Sequence, residues 1–219
     1  MTFLVDMDEG DLVFIRKIRD GRCSRVYMAI NSKTDEYVAV KIIDKNITPS
    51  SINFEIYSNT KLCHKNIIKC IGWFENKTDV YVLYEYAPVG DLFDYLIKSD
   101  SLLKETEVKN IIEPIIQAVI YIHSKNWIHR DIKPENILLF RGIKPKLGDL
   151  EMSIDMNKHM PNLRSGTPSY MAPEVLDYHE ETILESGYGT EVDCWSIGVL
   201  TYECLLKTPP FQGKSIDEI

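Results

Sequence analysis

His129-Arg130-Asp131-Ile132-Lys133-Pro134-Glu135-Asn136 sets an acid, a lysine and a carboxamide at the spacing that phosphoryl transfer from ATP needs. Asp131 is placed to accept a hydroxyl proton, and Lys133 to neutralise charge on the moving phosphoryl group. Asn136, five residues after the acid, turns back to hold a Mg²⁺ ion. The run leads into Ile137-Leu138-Leu139, a short apolar strand, so its polar groups belong to a loop gripped by core. A basic surface loop that carries Asp and Asn by coincidence is the bland alternative. A match of this length argues against it.

Upstream, Val108, Ile111, Ile112, Ile115, Ile116, Val119 and Ile122 recur at spacings of three and four, which predicts a helix of about six turns that buries one wide stripe. That stripe is core packing and holds up the loop at Asp131. Farther back, Leu12 to Ile18, Val26 to Ile30, Tyr37 to Ile43 and Val80 to Tyr84 read as strands separated by turn-prone residues. Ser50 or Ser51 is the expected cap of a helix carrying Phe54, Ile56 and Leu62. Ala87-Pro88-Val89-Gly90 breaks the pattern, giving expected lobes at residues 1–89 and 90–219. A second helix is expected from Thr190 to Leu206, stopped by Pro209-Pro210.

The chain has 219 residues, 44% hydrophobic and 26% charged, an ordinary globular composition. Its net charge of −8 argues against a nucleic-acid partner and fits a basic one. Five scattered cysteines without a CxxC pair suit a reduced intracellular protein, in cytoplasm or nucleus. The N-terminus lacks a basic run before its apolar residues, so no signal peptide is expected, and nothing reads as membrane-spanning.

The remaining motifs fall into order around Asp131. Tyr37-Val38-Ala39-Val40-Lys41 ends an alternating strand on a lysine, with Glu55 on the following helix as its expected partner. Lys146-Leu147-Gly148-Asp149 puts an acid at a strand end, where a carboxylate suits Mg²⁺. Gly166-Thr167-Pro168-Ser169-Tyr170-Met171-Ala172-Pro173-Glu174 and Asp193-Cys194-Trp195-Ser196-Ile197-Gly198 follow. From about Phe14 to Phe211 the chain resembles the eukaryotic protein kinases.

The resemblance implies an α+β, two-lobe fold: a small antiparallel β lobe with one helix, and a larger, mostly helical lobe. Lys133 and Gly166-Thr167 resemble the serine/threonine branch. By that likeness Asp131 and Lys133 are catalytic, Asn136 and Asp149 hold Mg²⁺, and ATP is contacted from Ile18, Gly21, Val26, Ala39, Lys41, Glu55, Glu85, Ala87 and Asp91. Glu85-Tyr86-Ala87 matches the adenine-holding hinge, with Tyr84 as the bulky residue before it. Acids matching Asp91 and Glu135 imply a protein substrate with basic residues ahead of its hydroxyl.

Several positions depart from the pattern. The phosphate-covering loop reads Arg19-Asp20-Gly21-Arg22-Cys23-Ser24-Arg25-Val26 and keeps only its middle glycine. Asp149-Leu150-Glu151 has a glutamate where the family has glycine, which adds charge opposed to ATP. Asn59 puts a polar group where most relatives pack an apolar one. The Aurora kinases also carry a polar residue there, so the likeness points to them or to calcium/calmodulin-type kinases. Leu163 occupies the usual phosphorylated position, leaving Ser153 and Ser165 as the hydroxyls of the segment, and the acidic linker Asp177 to Ser186 has no assigned role. The family continues past Ile219 with further helices, so the expectation is a shortened product, a partner chain covering the last helix, or a marginal lobe. Two readings follow: a serine/threonine kinase in cell-cycle or signalling control, and a pseudokinase that docks partners.

Overall fold

A computed structural model of the chain describes residues 5–21, 24–46, 49–177, 187–213 and 218–219. The side chains of residues 49–51 and 53 lie outside that description. Two compact units divide the chain, Met1–Ala87 and Pro88–Ile219.

The first unit is built on strands β1 (Leu12–Asp20), β2 (Ser24–Asn31) and β3 (Glu36–Asp44), helix α1 (Pro49–Lys61), and strands β4 (Cys70–Glu75) and β5 (Asp79–Glu85). The strands form one antiparallel sheet in the order β1-β2-β3-β5-β4. Alternation in β3 sends Val38, Val40 and Ile42 to one face and Ala39, Lys41 and Ile43 to the other. The first set joins Leu12, Ala29, Leu83, Phe74 and Tyr81 in a core where the last two rings stack 4.6 Å apart. On the second face Ile43, Val80 and Val82 pack with Ile52 and Ile56 of α1. Each such aliphatic side chain contributes about 1.5–3 kcal/mol on burial. This packing fixes α1 beside Lys41.

Ser50 and Ser51, the expected caps, lie inside the first turn of α1, because the helix begins at Pro49, whose fixed φ suits that position. The residue before it, Thr48, lies outside the described residues. Strand β4 was not anticipated, since Gly72 and a register shift between Cys70 and Gly72 interrupt its alternation.

The second unit runs through β6 (Gly90–Asp91), α2 (Leu92–Lys98), α3 (Glu105–Ser124), β7 (Trp127–Ile128), β8 (Ile137–Phe140), β9 (Lys144–Leu147), β10 (Ile154–Asp155), α4 (Pro173–Leu176) and α5 (Glu191–Leu206). Helix α3 buries Val108, Ile111, Ile112, Ile115, Ala118, Val119 and Ile122. Ile116, expected in that stripe, is 37% exposed because it lies at the stripe's edge. Helix α2 was also unforeseen; Asp91 caps it by accepting the Asp94 N–H at 2.8 Å. Helix α5 ends at Leu206, as expected, but its stop is Lys207, whose φ of +58° makes a left-handed end ahead of the prolines. Strands β6, β8 and β9 form one small sheet and β7 and β10 another. Ile128, Ile154, Met171, Ala172, Val175, Tyr188 and Val192 gather in a core beneath the segment after β10. Among the described residues no helix is long and apolar enough to cross a membrane.

Candidate active site

The loop between β7 and β8 carries the second unit's polar cluster. Asp131 is buried, yet every approach to its carboxylate is a donor. Oδ1 accepts the Thr167 hydroxyl at 2.7 Å, and Oδ2 accepts Asn136 Nδ2 at 2.8 Å and Lys133 Nζ at 2.9 Å. Lys133 Nζ also donates to Thr167 Oγ1 at 2.7 Å, so the lysine bridges the acid and the hydroxyl. Asn136 Nδ2 reaches the Asp131 carbonyl too, at 2.8 Å, closing the loop on itself. Charge-assisted bonds of this kind are roughly twice as strong as neutral ones. The structure therefore brings Asp131, Lys133 and Asn136 together and adds Thr167, which the sequence offered only as part of a motif.

What pins this loop was also missed from sequence. Asp193, in the first turn of α5, is wholly buried; its two oxygens accept the backbone N–H groups of His129 and Arg130, each at 2.9 Å. His123 Nε2 lies 2.8 Å from the same carboxylate. These bonds hold Arg130 at φ +70°, a conformation that side chains rarely adopt. An acid opening a helix suggests a favourable charge near the helix's positive end, and nothing local says that it binds a loop far back in the chain. His129 takes the Asp131 N–H on Nδ1 at 3.3 Å, which leaves Nε2 to donate to the Gly148 carbonyl at 3.0 Å.

Arg130 reaches forward into the segment after β10. Its Nε donates to the Met152 carbonyl at 2.6 Å, and Nη1 to the Tyr188 hydroxyl at 3.0 Å. That hydroxyl donates to the Leu163 carbonyl at 2.8 Å. Leu163, without a hydroxyl of its own, is thus tied to Arg130 through a tyrosine. Of the two segment hydroxyls, Ser153 is buried and Ser165 half-buried. Gly166 has φ +120°, and a Cβ there would strike the Arg130 carbonyl, so glycine is required where the segment passes the loop.

Asp149 follows Gly148, whose N–H donates to the Asn136 carbonyl at 2.8 Å. Leu150 is buried and anchors the turn, while Asp149 takes φ +54°. Carboxylate oxygens of Asp149 and Glu151 lie within 4.8 Å of each other. Asn136 Oδ1 is buried and has no hydrogen-bond partner among the described residues. A buried amide oxygen left open beside a segment of carboxylates fits a hard, oxygen-loving cation such as Mg²⁺. Asp91, named among the ATP contacts by resemblance, lies here as the cap of α2.

In the first unit Lys41 and Glu55 are both buried, and Lys41 Nζ meets Glu55 Oε2 at 2.8 Å. Val26 pairs with Lys41 across the ladder and shares its sheet face with Ala39. Ile18 sits in the β1 bulge between Lys17 and Arg19 and is 41% exposed. Gly21 closes the β1–β2 hairpin by donating its N–H to the Ser24 carbonyl at 2.8 Å; Arg22 and Cys23 lie outside the described residues. Glu85 ends β5, exchanging bonds with Lys69 at 3.0 and 2.7 Å, and Ala87 is buried at the unit's end.

A carboxylate held between a lysine and a hydroxyl, with a carboxamide oxygen open for a cation, is the equipment of an enzyme that passes a phosphoryl group to an alcohol. Residues 12–219 match the family described as the protein kinase domain. Among curated proteins the chain is 35% identical to myosin light chain kinase A of Dictyostelium discoideum, over 94% of this chain and 70% of that protein. It is 36% identical to Aurora kinase of Schizosaccharomyces pombe, over 89% and 54%. Serine/threonine-protein kinase TIO of Arabidopsis thaliana is 37% identical, over 96% of this chain and 16% of its own length. The chain belongs to the eukaryotic serine/threonine protein kinases.

Proposed function

We propose that the chain transfers the γ-phosphoryl group of ATP to serine and threonine hydroxyls of protein substrates. The observation that carries this is the Thr167 hydroxyl, seated on Asp131 Oδ1 at 2.7 Å with Lys133 bonded to both. A substrate hydroxyl taking that place would hand its proton to Asp131 as its oxygen attacks the γ-phosphorus and the bond to the β,γ-bridging oxygen breaks, releasing ADP. Lys133 offsets charge on the transferring group. Lys41, directed by Glu55, orients the α- and β-phosphates, and the backbone around Ile18, Gly21, Val26, Ala39, Glu85 and Ala87 supports the nucleotide. Asn136 and Asp149 would hold Mg²⁺, which supplies charge neutralisation between phosphate oxygens.

The acidic net charge, with Asp91 and Glu135 in the second unit, supports a substrate carrying basic residues before its hydroxyl. Likeness to kinases named for myosin light chain and to an Aurora kinase supports an intracellular role in signalling or cell-cycle control. A docking role without transfer is the second reading. Its support is Glu151, whose carboxylate lies close to that of Asp149 and adds negative charge that opposes a polyanionic nucleotide.

A radiolabelled transfer assay on a basic protein, with Asp131→Asn as control, decides between them. Label incorporated by the native chain and lost in the control supports transfer. Equal label in both points to a contaminating kinase, and none in either while nucleotide still binds supports docking.

A further inference from the structure

The Lys41–Glu55 pair is not left to itself. Lys41 Nζ donates to Glu55 Oε2, and Glu55 Oε1 accepts the Tyr84 hydroxyl at 2.5 Å. Tyr84 Oη accepts in turn from Asn59 Nδ2 at 2.9 Å, and the same amide donates to the Glu55 backbone carbonyl at 2.8 Å. All four groups lie within the first unit, and their placement follows from two periodicities. Ala39 and Lys41 are two apart in β3 and share a face; Tyr84 stands opposite Ala39 in β5 and so shares it too. Glu55 and Asn59 are four apart in α1 and so share the helix face turned to that sheet face. Glu55 is 1% exposed and Asn59 6%, so water does not supply these bonds.

We propose that Tyr84 and Asn59 are positioning residues for Lys41: together they clamp the Glu55 carboxylate in one orientation, and through it they set the direction of the phosphate-orienting lysine. A lone Lys–Glu pair leaves one carboxylate oxygen needing a donor and the glutamate free to turn about its last torsion. Here the second oxygen has a dedicated hydroxyl, and the amide of Asn59 ties that hydroxyl to the helix backbone one turn earlier. The polar residue at Asn59 thereby acquires a use that an apolar side chain there could not serve. Tyr84 acts through Glu55 and not on the nucleotide.

This rests on the reading of Lys41 as a phosphate ligand, and the test separates the two. The full chain is titrated calorimetrically with Mg·ATP and, separately, with adenosine, which has no phosphates. Tyr84→Phe removes one oxygen and keeps the ring. It is expected to weaken Mg·ATP about tenfold, the worth of one charge-assisted hydrogen bond, while adenosine changes less than twofold. Asn59→Leu should act in the same direction, and the double variant should be no worse than Tyr84→Phe, since both remove one linked chain of bonds. Equal weakening of ATP and adenosine would reduce Tyr84 to a packing role and overturn the clamp. Unchanged ATP affinity would also overturn it. If the native chain binds no nucleotide, the reading of Lys41 falls, and the clamp is judged by NMR instead. The ¹⁵N-labelled Lys41 ammonium signal, slowed in exchange by its ion pair, should be visible in the native chain and lost in Tyr84→Phe. Its persistence in the variant would overturn the clamp.

Discussion

Two lysines meet a buried carboxylate among the described residues, at nearly the same distance and to opposite ends. Lys41 and Glu55 lie 2.8 Å apart, with side chains 9% and 1% exposed; Lys133 and Asp131 lie 2.9 Å apart, at 18% and 9%. The first pair sits between a sheet face and α1, and Glu55 Oε1 also accepts the hydroxyl of Tyr84 from that sheet. The second sits on a loop whose donors come from the loop itself and from Thr167, a residue of another segment. One pair is built to stay closed. The other has a contact, Thr167 on Oδ1, that a substrate hydroxyl can replace without disturbing the backbone. Burial decides how costly a pair is to break, and the origin of the neighbouring donors decides whether it can be opened in a catalytic cycle.

The largest expected effect falls on the open pair. Asp131→Asn keeps the side chain's size and the bond to Thr167 but removes the proton acceptor. Transfer should drop by on the order of a thousandfold, within the usual range for a general base, with a smaller loss of stability than Glu55→Ala gives. A loss of stability as large as that of Glu55→Ala would mean that Asp131 is structural, and the contrast with Glu55 would disappear.

The closed pair should show the reverse. Glu55→Ala leaves the Lys41 ammonium buried without its carboxylate, and breaking a buried pair by removing one partner costs about 3–5 kcal/mol. Urea unfolding should report a loss of that size. A cost below about 1 kcal/mol, typical of an exposed pair, would place Lys41–Glu55 among ordinary surface contacts.

Thr167 sharpens the difference from the other side. Thr167→Ala removes the hydroxyl that joins Lys133 to Asp131, and the carboxylate keeps two of its three donors. Transfer should fall about tenfold, with Thr167→Ser restoring it, because a hydrogen bond to a charged group contributes roughly 1.5–3 kcal/mol. Failure of serine to restore activity would make the methyl group, and hence packing, the working part of Thr167.

How far each pair could be read from sequence follows the same division. Asp131, Lys133 and Asn136 sit in one run, so their juxtaposition needed only the loop to turn back. Strand β3 and helix α3 were legible because alternation and a three-four spacing are written in consecutive residues. The bonds from Tyr84 to Glu55 and from Asp193 to His129 and Arg130 are products of packing. They join elements separated by 29 and more than 60 positions, and no local pattern announces them. Helix α2 escaped because it is short and announced only by its cap, Asp91. Its neighbour in difficulty, β4, lost its alternation at Gly72.

Another buried carboxylate, paired with a neutral hydroxyl, shows a different outcome. Glu203 of α5 is 5% exposed, and its partner is the neutral Tyr170 hydroxyl. Burial pushes the Glu203 carboxyl above its ordinary value, aided by the charge of Glu135, while the Tyr170 bond pulls it partly back. The tyrosine is raised as well, mainly by burial, and the adjacent Cys204 thiol is pushed up to about 12 for the same reason. A raised carboxyl means that the folded chain holds this proton more tightly than the unfolded chain. Glu203 therefore supports the fold fully below the unfolded value, near 4.5, and that support is lost as pH rises through the folded value. Glu203→Gln keeps an acceptor for Tyr170 and cannot ionise. Its unfolding free energy should match the native chain's at low pH and exceed it at neutral pH by no more than about 1 kcal/mol, the scale of one hydrogen bond. Urea midpoints measured from pH 4 to pH 8 would read the divergence. Parallel curves would mean that Glu203 ionises in the fold as it does in water, and that burial without a lysine carries no penalty at this position.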